Sequence, residues 1–76
     1  MPKLPIVNDK KLVSALKRMD FLLCRQRGTS HLVMKHPDGR RTVIPIHPGR
    51  DIPRGTLKAI LKDIEISIKE FVENLK

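Results

Sequence analysis

The chain has 76 residues, 39% of them hydrophobic, which leaves room for one small domain spanning 1–76 and no second core. Sixteen Lys and Arg stand against eight Asp and Glu, giving a net charge of +8, and the only aromatic side chains are Phe21 and Phe71. The surplus of positive charge points to a polyanionic partner, and the scarcity of aromatic rings argues against a base-stacking platform. A single cysteine, Cys24, excludes an internal disulfide and a thiolate metal cluster. No apolar run approaches the ~18 residues of a membrane span, and no signal-peptide pattern is seen, so a cytoplasmic chain that does not engage membranes is expected. P-loop, dinucleotide, HExxH and GxSxG motifs are also missing.

Pro2 and Pro5 oppose a helix at the start. Asn8 or Asp9 then offers an N-cap, and Leu12, Val13, Leu16 and Met19 form one apolar stripe, which predicts a helix over 9–19. Asp20 is placed to end it in a left-handed conformation. The run Phe21-Leu22-Leu23-Cys24 suits a short strand with Cys24 buried, and Arg25-Gln26-Arg27-Gly28-Thr29-Ser30 reads as a polar break.

Leu32-Val33-Met34 and Thr42-Val43-Ile44 flank Pro37-Asp38-Gly39-Arg40, the pattern of a hairpin. With Asp38-Gly39 as a two-residue loop, Lys35 lies opposite Thr42, Val33 opposite Ile44, and His31 opposite Ile46. Both faces then carry apolar residues, which leaves the buried face open. Pro45 lacks a ladder N–H and marks a sheet edge. After a Pro/Gly-rich loop, Leu57, Ile60, Leu61 and Ile64 predict a second helix flanked by Arg54, Lys58 and Lys62. Ser67 with Glu70 forms a capping box for a short third helix. The expectation is an α+β fold, a three-stranded antiparallel meander with helices on one face in the order α-β-β-β-α plus a short C-terminal helix.

Between Arg25 and Lys62 there are nine basic residues and two acidic ones, so nearly all the net charge belongs to the sheet and second helix. A phosphate backbone fits that pattern, although any single Lys or Arg also serves as ordinary solvated surface. Three histidines are available for proton transfer near neutral pH. His36, beside Pro37, is expected to face solvent, and His47 follows the edge strand, where it could cap loop carbonyls. His31 follows Gly28, whose lack of a side chain permits close approach, and Thr29 and Ser30, whose hydroxyls can donate to phosphate oxygens. Arg25, Arg27 and Lys35 bracket it. Spacing alone favours reading His31 as an ordinary strand-edge residue. His31 and His36 fall on opposite faces of a regular strand, so no metal site is expected.

Several segments together resemble the HicA-type toxins of toxin–antitoxin systems. They are Pro2-Lys3-Leu4-Pro5, the helix followed by Phe21, Arg25-Gln26-Arg27-Gly28-Thr29-Ser30-His31, His36-Pro37-Asp38-Gly39-Arg40, Ile44-Pro45-Ile46-His47, and Gly55-Thr56-Leu57 with Ile60-Leu61. The chain departs from the usual pattern at Asp20, where a glycine is common, near Glu65, where a glycine is often found, and in a longer turn between Gly28 and His31. The resemblance implies a fold similar to the double-stranded RNA-binding domain. It also implies a metal-independent mRNA interferase that needs no cofactor and is held inactive by a HicB-type antitoxin. His31 occupies the position of the catalytic histidine in that family.

In that reading His31 assists attack of a ribose 2′-hydroxyl, and Thr29, Ser30 and nearby cations stabilise the charge that develops. Lys35, Arg40 and Arg41 would hold the strand, with Gly28, Arg25, Arg27, His47 and Lys58 as further substrate contacts. A non-catalytic domain that binds structured RNA fits the same element order, and so does a module whose basic face meets an acidic protein.

Overall fold

The computed structural model describes residues 3–27 and 31–75, the side chains of 25–27 excepted. Its elements run α1 (Asp9–Arg18), β1 (Leu22–Arg27), β2 (His31–Lys35), β3 (Arg41–Pro45), α2 (Arg54–Asp63) and α3 (Ile68–Glu73). The three strands form an antiparallel sheet in the order β1-β2-β3, which makes β3 an edge as Pro45 requires. The expected α+β layout is therefore the one observed.

Helix boundaries follow from capping chemistry. The Asn8 side chain accepts the Lys11 N–H at the start of α1, and Ser67 and Glu70 close a reciprocal capping box on α3. At the end of α1, Asp20 takes φ 70° while its N–H bonds the Lys17 carbonyl and that of Phe21 bonds Leu16. Glu65 does the same after α2 with φ 56°, its N–H reaching Lys62 and that of Ile66 reaching Leu61. Both are Schellman endings, stabilised by apolar contact from the residue that follows. Phe21 and Ile66 are buried in the core beside Leu16 and Leu61, and this burial offsets the strain of a left-handed residue with a side chain. Asp20 and Glu65 thus adopt the left-handed conformation without being glycines.

The hairpin differs from expectation. Its register pairs Lys35 with Arg41, Met34 with Thr42, Leu32 with Ile44 and His31 with Pro45, one residue away from the two-residue-loop alignment. Pro37 is the reason. A two-residue loop would make it the last paired residue, a place that needs the N–H proline lacks. Instead His36 closes the ladder, its N–H donating to the Arg40 carbonyl, and Gly39 donates back to the His36 carbonyl. Pro37 then stands at the second position of a type I turn, and Gly39, at φ 101°, supplies the left-handed residue that completes a three-residue loop.

This register settles the faces. Leu32, Met34, Thr42 and Ile44 turn toward the helices, and Met34 and Ile44 are fully buried against Leu12, Leu16, Phe21, Leu57, Ile64 and Phe71. Each such buried aliphatic or aromatic side chain contributes about 1.5–3 kcal/mol. Val33, expected on the same face as Ile44, lies on the opposite one with His31 and Lys35. β1 also runs further than expected, because Arg25, Gln26 and Arg27 pair with Val33, Leu32 and His31 rather than forming a break. A bulge between Leu23 and Arg25 interrupts that pairing, and Cys24, expected to be buried, is exposed there.

Candidate active site

The face of the sheet turned away from the helices carries the candidate chemistry. Alternation along β2 sends His31, Val33 and Lys35 to that face while Leu32 and Met34 enter the core. His31 is exposed at the first position of the central strand, in register with Arg27 on one side and Pro45 on the other. Lys35 and Arg41, both exposed, form a cross-strand pair at the other end, about 13 Å away at the usual rise per residue. Between them lie Val33 and the half-exposed Val43. None of the three strands contains an acidic residue, and the described cations of this face, Lys35 and Arg41, attract anions to it.

Other predicted site residues are distributed unevenly. Gly28, Thr29 and Ser30 lie outside the described residues, as do the side chains of Arg25 and Arg27, whose backbones belong to β1. His47 is exposed just beyond Pro45, at the His31 end of the sheet, where its carbonyl accepts the Arg50 N–H across a turn. Gly49 supplies the positive φ of 76° that a Pro-Gly turn of this kind requires. Lys58 is exposed on α2, in the helical layer on the other side of the sheet, and is not brought together with His31.

Arg40 has a different setting from the one expected of a substrate contact. Its Nε donates to Asp38 Oδ2 at 2.8 Å and its Nη1 to the Ile64 carbonyl at 2.8 Å, with the guanidinium 5.2 Å from the centre of the Phe21 ring. These bonds tie the β2–β3 turn to the end of α2. His36, expected to face solvent, belongs to the same cluster. Only 18% of its side chain is exposed, and its ring meets Phe21 edge-on at 5.0 Å. Its Nδ1 lies 3.1 Å from the Asp38 N–H and 3.0 Å from Asp38 Oδ1. The neutral ring accepts from the amide, and the protonated ring donates to the carboxylate.

Asp38 is the group whose acidity this cluster changes. The Arg40 backbone N–H, and then the Arg40 guanidinium and the His36 ring, hold its carboxyl below the usual carboxylate range. A carboxyl with a lowered folded-state pKa stabilises the fold above its unfolded value, near pH 4, and loses that contribution as pH falls through the lowered value. Asp38→Asn is therefore expected to be less stable than wild type at pH 7, with the difference closing as both are taken to acid. Denaturant midpoints between pH 7 and pH 2 check this, and a gap that stays constant contradicts it.

Sequence reasoning missed a cleft of about 280 Å³ at the turn end of β1 and β2, lined by Leu22, Cys24, Lys35, His36 and Pro37. The signal for it is the bulge at Cys24, which only the pairing reveals.

Among the described residues no helix is long and apolar enough to cross a membrane, and no three His, Cys, Asp or Glu side chains come together as a metal-holding group. No curated protein matches the chain. The family model described as the HicA toxin of bacterial toxin-antitoxin matches residues 10–66, from α1 through the Schellman ending of α2. It covers the whole sheet and the His31 face, and the chain belongs to the HicA toxin family of toxin–antitoxin systems.

Proposed function

We propose that the chain is a metal-independent RNA endonuclease, an mRNA interferase acting in the cytoplasm, with His31 as its proton-transfer group. The observation that carries this reading is the position of His31, exposed at the start of the central strand on an acid-free, cationic sheet face. Membership of the HicA family adds to it.

RNA carries its own nucleophile, so the protein needs only to orient the strand and move protons. As general base, His31 takes the proton of a ribose 2′-hydroxyl while its oxygen bonds the adjacent phosphorus and the bond to the 5′-oxygen breaks. As general acid it gives a proton to that leaving oxygen. The first product ends in a 2′,3′-cyclic phosphate and the second begins with a 5′-hydroxyl. Holding nucleophile and phosphorus in line supplies much of the acceleration, and the imidazole contributes about 10²–10⁴-fold. Thr29, Ser30, Arg25 and Arg27 stabilise the pentacoordinate charge, Gly28 allows the strand close approach, and Lys35, Arg41 and His47 hold its flanks.

A HicB-type antitoxin neutralises the enzyme by occupying the same cationic face. The purified chain is expected to fragment mRNA in excess EDTA, and stoichiometric antitoxin is expected to stop it. Intact RNA in EDTA with cleavage restored by a divalent metal would overturn the proposal.

A further inference from the structure

The cleft beside the β2–β3 turn plays no part in proton transfer at His31, yet its lining is chemically selective. Leu22, 64% exposed, and Pro37 and Cys24 present apolar walls, and among the described lining residues Lys35 supplies a permanent positive charge. His36 offers a fixed edge. With Nδ1 committed to Asp38 and the ring held against Phe21, Nε2 is the remaining polar atom of that side chain and has no partner among the described residues. The nearby carboxylate, Asp38, is already engaged by Arg40 and the His36 ring.

An apolar slot with one oriented hydrogen-bonding atom and one cation matches a nucleotide, which has flat apolar faces, a polar edge and a phosphate. Lys35 shares the outer face of β2 with His31, so a strand lying along that face reaches both. We propose that this cleft is a nucleotide subsite, holding one base of the RNA a few nucleotides from the bond cut at His31, with Lys35 on its phosphate. The proposal rests on the endonuclease reading and adds to it a place where sequence preference arises. His36 is then a specificity-determining residue, reading the base edge through Nε2. The orientation of that ring is set by Asp38 and Phe21, outside the subsite itself.

The test uses the His31→Ala chain, which keeps RNA intact during measurement. AMP, GMP, CMP and UMP are titrated separately while amide shifts are followed by NMR, with inorganic phosphate as the comparison. The expected result is saturable shifts at Leu22, Cys24, Lys35 and His36 with at least one nucleotide, and with phosphate a response confined to Lys35. Cys24→Phe, which adds a ring at an exposed position in the cleft, is expected to abolish those shifts and to weaken binding of a single-stranded oligonucleotide about tenfold. Identical responses to phosphate and to all four nucleotides overturn the proposal. So does a Cys24→Phe chain that binds RNA normally but loses affinity for the antitoxin, which would make the cleft a protein contact. Nucleotide binding that persists while His31→Ala still cleaves RNA would leave the subsite standing and remove the catalytic assignment instead.

Discussion

His31→Ala is expected to slow RNA cleavage by at least ~100-fold while leaving the fold intact, the lower end of what one positioned acid–base group supplies. The size of the effect follows from where the residue sits. His31 is exposed on the sheet face opposite the core, so truncating its side chain opens no cavity. The stability change should stay well below the ~2–5 kcal/mol of a core truncation. Lost activity therefore reports chemistry and not unfolding. Single-turnover cleavage with enzyme in excess, together with a denaturation curve for each protein, checks both halves. Cleavage at the wild-type rate, or a large fall in stability, contradicts the assignment.

Phe21→Ala is expected to cost about 3–5 kcal/mol, the range for removing a fully buried aromatic ring. Phe21 has no exposed surface and closes the Schellman ending of α1. It also receives the edge of His36 and the guanidinium of Arg40 from the β2–β3 turn. One side chain therefore joins α1, the hairpin turn and, through Arg40, the end of α2. At about 0.05–0.15 kcal/mol per residue, a chain of this length has a total stability comparable to that loss. The variant should be partly unfolded at 25 °C, with the damage spreading to the turn. Urea denaturation followed by circular dichroism, together with amide exchange at Gly39 and Arg40, tests it. A loss below about 1 kcal/mol would mean that the core repacks and that Phe21 does not hold the turn.

The helices were legible in the sequence because their signals are local. Leu57, Ile60, Leu61 and Ile64 describe one face of α2, and Ser67 with Glu70 marks the start of α3. Asp20 was likewise read correctly as a left-handed ending. The sheet was less legible, since its register depends on which residue can donate across the turn. Asp38-Gly39 favours a tight loop by residue preference, but the missing N–H of Pro37 overrides it, and a shift of one residue reassigns every cross-strand pair. The extension of β1 was hidden because Arg25, Gln26 and Arg27 have the composition of a loop, and only their pairing with β2 identifies them as a strand.

The candidate site divides in the same way. His31 stands out through its neighbours Gly28, Thr29 and Ser30 and through family resemblance, and it lies exposed on the helix-free face. Proximity to Pro37 suggests solvent for His36, but its side chain is only 18% exposed. Counting alternate residues from Leu32 through Met34 instead brings it to the core side, against Phe21. Arg40 and Arg41, both expected to hold the RNA strand, separate because neighbouring residues of an extended chain point opposite ways. Arg41 faces out, and Arg40 turns in to Asp38 and Ile64.

The most direct test of His31-assisted attack by the 2′-hydroxyl is the chemical identity of the new RNA ends. Fragments produced by the wild-type chain in EDTA should carry 2′,3′-cyclic phosphates and 5′-hydroxyls, with no cut where the nucleotide 5′ to the bond is 2′-deoxy. Fragments that begin with a 5′-phosphate, or undiminished cutting of the deoxy-substituted substrate, would contradict it.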